Sequence, residues 1–450
     1  MSYPFNAAIK EPIKQELDFD KLVGHLKALL STLPDKRKGF NTSYRIQDAA
    51  LSAFSVFFMQ CPSFLDYQNR MQEAKGHNNA GSLFQVENIP SDNQIRNLLD
   101  PIEPSHLTPI FDWVFNAVTH SHHIEAYRSL NSTVLIAVDG VCYHSSDAVY
   151  CDNCYKRKPK KGEITYSHTA ITPVIVASNN PHVISLAPEF MTPQDGHDKQ
   201  DSEHAAIKRW LKQHAYKYRD LGVTFLGDDL YSCQPICEAM LQEGCHFLLT
   251  CKPDSHKTLY EWIDELAMLN KVEAVTIHRK KGKKKFTDTY RFMNQVPIRD
   301  TKDALIVNWC ELIITNETGK IIYKNAFITD HFISQENVAE VVLVGRARWK
   351  IENENNNTLK TKGYNLEHNF GHGKQYLSQL LLTLNLIAFL FHTLLHLIDQ
   401  RYKLIRKKLS RRKNFFDDIR ALTRYMLFEN WNHLMQFMMK GLEIEFSDTG

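Results

Sequence analysis

The chain has 450 residues, 43% hydrophobic and 23% charged, which is ordinary globular usage and excludes a disordered, collagenous or low-complexity protein. Its 54 Lys and Arg against 51 Asp and Glu leave a formal charge of +3, a sum that points to no acidic partner, although the basic residues are bunched. At roughly 150 residues per structural unit the length suits about three units. Nine cysteines are too few, and odd in number, for a disulfide scaffold, and the polar start MSYPFNAAIKEPIKQELDFD lacks a signal-peptide pattern. A reducing cytoplasm is therefore expected.

Residues 1–130 read as a helical domain. Apolar residues recur at intervals of three and four over 17–30, 46–59, 93–99 and 107–123, with Pro34, Pro62, Pro90, Pro101 and Pro104 between them. The segment AKGHNNAGS at 74–82 reads as an exposed loop. The texture then changes. VLIAVDGV at 134–141 is an apolar, β-branched run ending in an acid and a glycine, the pattern of a central strand whose carboxylate emerges at its end. Strands at 171–178 and 183–186, a helix over 201–218, a strand at 223–227 followed by Asp228 and Asp229, a helix over 234–242 and a strand at 246–250 continue an α/β block over 131–254. Residues 255–335 read as a β-rich insertion. A helix over 337–361 follows, within a second part of the core at 336–400. The run LLLTLNLIAFLFHTLLHLI at 380–398 has the length of a membrane span but carries Thr383, Asn385, His392, Thr393 and His396, so it is read as a buried core helix, with no membrane involved. Residues 401–450 form a basic tail.

Three acids stand out. Asp139 and Asp228 end strands of one block, and Glu352 lies on the helix within GRARWKIENENNNTLKTKGYNLEH. Strand-end carboxylates project into the crevice at the carboxyl edge of a sheet, where open α/β folds bind ligands. Such a cluster needs a counter-charge, which Mg²⁺ supplies through oxygen ligands. Two ions about 4 Å apart would activate a water or hydroxyl and stabilise the leaving oxygen of a phosphodiester displacement. Arg348, four residues before Glu352, shares its face and can reach a phosphate. Trp349 is either a stacking surface for a base or a core aromatic. The acid-rich segment PQDGHDKQDSEH at 193–204 is either a second acid cluster or a solvated loop leading into a helix capped near Asp201 or Ser202.

Taken together, VDG at 138–140, GDDLYS at 227–232 and RARWKIEN at 346–353 resemble the DDE transposases of the IS4 type from bacterial insertion sequences, over roughly residues 130–400. The resemblance implies an RNase H-like core, a mixed sheet flanked by helices, interrupted by a β-rich insertion and preceded by helices. It implies catalytic, metal-holding roles for Asp139, Asp228 and Glu352, with two Mg²⁺ (or Mn²⁺) as cofactor, and a phosphate contact for Arg348. Glu354 is an alternative third acid, but about 200° of helix separates it from Glu352. Two positions depart from the family pattern. Gly345 stands where the family has a tyrosine. The family lysine falls seven residues after the glutamate, whereas here Leu359 holds that place and Lys360 follows, which a regular α-helix sets about 80° from Glu352.

The implied activity is DNA transposition: metal-dependent cleavage at the ends of a mobile element, then attack of the freed 3′-hydroxyl on target DNA. Its partners are the element's terminal inverted repeats, target DNA and a second copy of the chain, in the bacterial cytoplasm at the nucleoid. The alternatives are a metal-dependent nuclease without strand transfer and a catalytically inactive DNA-binding regulator. Basic runs at 156–161, 279–285 and 401–413 are expected to supply phosphate-backbone contacts, among them Lys280, Lys283 and Lys284 at a hairpin tip of the insertion and Arg406 and Lys407 in the tail, and Trp349 and Lys360 on the Glu helix are further DNA-binding candidates. Finally, Cys151 and Cys154 form a C-x-x-C, with Cys142 and His144 upstream and His168 downstream. The readings are a structural Zn²⁺ site, a pair of ordinary thiols, or redox chemistry.

Overall fold

The computed structural model describes residues 18–37, 42–71, 74–158, 162–193 and 201–445. It is a mixed α/β protein built on one large sheet. The N-terminal helices are α1 (Phe19–Leu30), α2 (Ile46–Phe58), α3 (Phe64–Met71), α4 (Ala74–Phe84), α5 (Asp92–Leu99) and α6 (Thr108–His120). Asp18 and Ser91 cap α1 and α5 by accepting from the amides of Lys21 and Gln94. The segment at 74–82 is therefore helix rather than loop. Its glycines and asparagines are weak helix formers, but Asn79 is buried, donates to the carbonyls of Thr423 and Met426, and accepts from the amide of Phe428. Tertiary contacts override local propensity there.

The sheet region runs β1 (Arg128–Ser129), β2 (Thr133–Ala137), β3 (Gly140–Ser146), β4 (Tyr155–Arg157), β5 (Thr165–Ile171), β6 (Val174–Ala177), β7 (Asn180–Ser185), β8 (Glu189–Met191), α7 (Glu203–His214), β9 (Val223–Gly227), α8 (Gln234–Gln242), β10 (His246–Thr250), α9 (Lys257–Met268), β11 (Glu273–Lys281), β12 (Lys284–Pro297), β13 (Ile306–Asn316) and β14 (Ile321–Thr329). The large sheet has the order β11-β12-β13-β14-β10-β9-β2-β6-β7, with β1 on β2. Strands β2, β9 and β10 are parallel, and β6, β7 and β14 pair antiparallel. All five residues of β2 and of β9 are buried, as expected of central strands covered on both faces. The strands of the insertion do not form a separate body. β14 pairs with β10, and the near ends of β13 and β14 bring Trp309, Cys310, Phe327 and Ile328 into the common core, while the far ends and β11 project outward. A second, four-stranded sheet, β3-β5-β4 with β8 on β5, begins directly after Asp139.

The C-terminal part contains α10 (Val338–Arg346), a π-helical turn (Ile351–Asn356), α11 (Asn357–Thr361), α12 (Leu377–Ile398), α13 (Gln400–Lys408), α14 (Arg412–Tyr425) and α15 (Trp431–Gly441). Helix α12 is long and apolar enough to cross a membrane, yet 83% of its most apolar window is buried inside the protein. It lies between the N-terminal helices and β7, with Phe391 against Phe54 (ring centroids 5.3 Å) and His396 against His182 (3.8 Å). Its polar residues find partners: Asn385 donates to the Tyr364 carbonyl and His392 Nδ1 meets the Tyr364 hydroxyl at 2.6 Å. Residues 401–445 are not a loose tail. They fold as α13–α15 back onto the first helices, where Trp431 packs on Phe19 at 4.4 Å. Buried aromatic area of this size dominates such contacts.

Candidate active site

Parallel pairing of β2 with β9 sets Ala137 opposite Leu226. Asp139 and Asp228 each lie two residues beyond that pair, and the Val138 amide still bonds the Leu226 carbonyl at 2.9 Å. The two acids thus leave adjacent strands side by side. Because β2 pairs with β9 on one side and β6 on the other, they border the crevice where the sheet changes direction. Asp139 is mostly buried, and burial pushes its carboxyl up to about 7. The charges of Glu203, Asp228 and Glu352 push the same way, and the Arg348 guanidinium opposes them.

The expected helix over 337–361 is interrupted. α10 ends at Arg346, and the chain widens into the π turn Ile351–Asn356, where Asn355 and Asn356 are both buried. Such turns recur at functional sites. Asn355 bonds the Thr172 hydroxyl at 3.4 Å, and Asn356 donates to Asp139 Oδ2 at 3.3 Å. Lys350 Nζ donates to the Asn180 carbonyl at 2.9 Å. These bonds dock the helix on the sheet edge. Glu352 is exposed and ion-paired with Arg348 at 2.7 Å. Glu354 faces elsewhere, into a cavity lined by His182, His392, His396, Arg406 and Arg412, so Glu352 is the acid that shares space with Asp139. The π turn also absorbs roughly one extra residue. Lys360 therefore regains the helical phase that a regular helix denies it; Leu359 is buried, while Lys360 is half-buried and paired with Glu367 at 2.7 Å. Trp349 is 44% exposed, which removes the core-aromatic reading. Gly345 is buried, and a Cβ there would lie 2.7 Å from the Phe327 ring, so no tyrosine fits at this place.

One carboxylate of the site, Glu203, was marked in the sequence only as part of the acid-rich segment at 193–204. Glu203, in the first turn of α7, approaches Gly140 so closely that a Cβ on Gly140 would meet its carboxylate at 2.8 Å. The Tyr231 hydroxyl donates to Glu203, and burial holds that phenol well above its usual range. The acid-rich segment was the available signal. Ser202 caps α7 as expected, Asp201 is buried against Arg209 at 2.7 Å, and residues 194–200 lie outside the described residues. The three carboxylates of Asp139, Asp228 and Glu352 are not gathered around one point. The tight clusters of metal-ligating side chains among the described residues lie elsewhere, at Cys151, Cys154, His168 and His372 and at His246, Asp330 and His331. In the first of these, Cys142 and His144 are replaced by His168 and His372. The exposed Cys142 thiol turns to the His144 carbonyl at 3.3 Å, and His144 Nε2 meets the Val149 carbonyl at 3.2 Å.

Lys280, Lys283 and Lys284 are exposed where β11 turns into β12, although lysines on an edge strand also guard against sheet-to-sheet association. In the run at 156–161, residues 159–161 lie outside the described residues. Lys407 is exposed and Arg406 partly buried. Lys362, Arg406, Arg411, Arg412, Lys413 and Arg420 line one cleft beside α11, and no acid is among its lining residues. No family model matches this chain, and none of the curated proteins matches it.

Proposed function

We propose that the protein is a DNA transposase of the DDE type, with an RNase H-like core that performs metal-dependent phosphodiester cleavage and strand transfer. The observation that carries this reading is the matched register of Asp139 and Asp228 on adjacent parallel strands, with the Glu352 helix tied to Asp139 through Asn356. The arrangement of β2 between an antiparallel β6–β7 pair and the parallel β9–β10 pair supports the core assignment.

The residues suit divalent cations. Asp139 sits buried among like charges with only Arg348 opposing them, so a hard cation with oxygen ligands is the counter-charge it lacks. Asp139, Asp228 and Glu352 would hold Mg²⁺, which when bound supplies a nucleophile at neutral pH and steadies the leaving oxygen. Asp139 must shed its proton to take this role. Asn356 orients it, and Glu352 joins once Arg348 turns from it to a DNA phosphate. The cation-lined cleft and the β11–β12 hairpin hold the DNA backbone without reading sequence. Trp349 offers an exposed ring to an unstacked base. A second copy of the chain would serve the second DNA end.

The test is a strand-transfer assay with Mg²⁺ on DNA taken from both flanks of the chain's own gene. Cleavage and joining by the wild type, with Asp139→Ala inactive but still DNA-bound, is the expected result. Cleavage without joining would make the protein a nuclease, and binding without cleavage a regulator. Cleavage by Asp139→Ala would overturn the site.

A further inference from the structure

We infer that Cys151, Cys154, His168 and His372 form a zinc site that clamps the small sheet to the segment following the Glu352 helix. The four ligand atoms lie within 4.8 Å of one another and all four residues are buried. Cys151 Sγ is 3.9 Å from Cys154 Sγ and 3.5 Å from His168 Nε2, and Cys154 Sγ is 3.4 Å from His168 Nε2 and 3.5 Å from His372 Nε2. A tetrahedral zinc with bonds of about 2.3 Å to sulfur and about 2.0 Å to nitrogen demands S···S edges of about 3.8 Å and S···N edges of about 3.5 Å. The four observed separations match that polyhedron. A disulfide needs sulfurs roughly 2 Å apart, so the pair is reduced.

The chemistry fits as well as the geometry. Two thiolates and two neutral imidazoles balance the charge of Zn²⁺, which a buried site requires. The Cys151 amide points at Cys154 Sγ at 3.4 Å, a contact that favours the thiolate. Packing, rather than outer hydrogen bonds, orients the rings. His168 stacks on Tyr143 and His372 leans on His144 at 4.3 Å, while neither Nδ1 has a protein partner. His144 therefore supports a ligand without being one. The other tight grouping does not compete, because both nitrogens of His331 are already bonded to Asn131 and Thr224.

The topology says what the clamp holds. Cys151 and Cys154 lie between β3 and β4 and His168 lies on β5, so three ligands come from the sheet that starts beside Asp139. His372 comes from 218 residues beyond Cys154, between α11 and α12. Gly373, at φ +71°, makes the turn after it, and Asp100 accepts from the amides of Lys374, Gln375 and Leu377 to fix that turn. Closing a loop of this length restricts the unfolded chain strongly. All four ligands are protein side chains, so no position is left for substrate and the role is structural.

The inference stands whether or not the chain transposes DNA. Purified full-length protein, analysed for metal by mass spectrometry, should carry about one zinc per chain. Co²⁺ exchanged into it should give the intense visible bands of a tetrahedral ion with thiolate charge transfer. His372→Ala and Cys154→Ser should lose most of the metal and melt at a lower temperature, whereas Cys142→Ser should keep both. If the ligand variants fail to fold, the cobalt spectrum of the wild type decides alone. A metal-free protein, an octahedral cobalt spectrum, bound iron in place of zinc, or equal metal loss in Cys142→Ser would overturn the assignment.

Discussion

The carboxylate site and the cysteine–histidine site begin twelve residues apart on the chain, at Asp139 and Cys151, yet they are opposite kinds of place. The first is open. Its acids repel one another, and Glu352 is exposed and ion-paired with Arg348. The second is closed: Cys151, Cys154, His168 and His372 are all buried, with their sulfur and nitrogen atoms within 4.8 Å of one another. A preassembled, fully protein-ligated cluster rigidifies a fold, while a charged, incomplete one is suited to substrate and exchangeable ions. The proposed catalytic site is thus electrostatically unsatisfied, whereas the proposed structural site is satisfied.

The strongest way to break this contrast is to neutralise the open site. Asp139→Asn or Asp228→Asn should cut DNA cleavage by about a thousandfold or more while leaving the melting temperature unchanged or higher, because a repulsion is removed. An unstable but active variant would reverse the assignment of roles. Next, Asn356→Ala removes the tether between the Glu helix and Asp139. Cleavage should fall about 10- to 100-fold, as for other residues that orient metal ligands, with DNA affinity retained in a gel-shift titration.

A third comparison uses pH. Burial and neighbouring acids raise Asp139 to about 7 in the folded protein, against an ordinary carboxyl value when unfolded. The folded state therefore binds the extra proton between those values, and this group's contribution to stability is full in acid and is lost as pH rises toward 7. Thermal melts without divalent metal should show that decline. Mg²⁺ should reverse it at pH 8 by binding the ionised form, and Asp139→Asn should flatten it. A profile rising with pH in the absence of metal would contradict the environment described for Asp139. The smallest effect is expected at the hairpin. Replacing Lys280, Lys283 and Lys284 with alanine should weaken DNA binding several-fold and lower the slope of log affinity against log salt by up to about 3, with no change in melting.

Much of the open site was legible along the chain. Asp139 and Asp228 each end a short, largely apolar run, and such runs have few foldings other than a central strand. Glu352 was legible through its place in RARWKIEN, beside Arg348. The closed site was half legible. The C-x-x-C and His168 were visible as candidates, but nearness in sequence favoured Cys142 and His144, whereas Cys142 is exposed with its thiol on the His144 carbonyl, and His144 packs on His372 with its Nε2 on the Val149 carbonyl. No local pattern marks His372, since its partners lie 218 residues away. The same holds for Asn79, whose partners come from the far C-terminal region, whereas Glu203 lies in a segment that reads either as a second acid cluster or as a solvated loop before a capped helix.

The amino-acid sequence by itself determined the burial pattern, and through it the strands, most helices, the strand-end acids and the cores they leave behind. Periodicity is a local property, and hydrophobic burial acts on it directly. Only the tertiary structure decided which distant residues meet. The insertion strands extend the central sheet instead of standing apart, and residues 401–445 close onto the first helices. The π turn interrupts the Glu352 helix, and His372 arrives beside Cys151, Cys154 and His168. These outcomes rest on side-chain packing and long-range bonds that form only when the whole chain is compact, and spacing along one segment does not encode them.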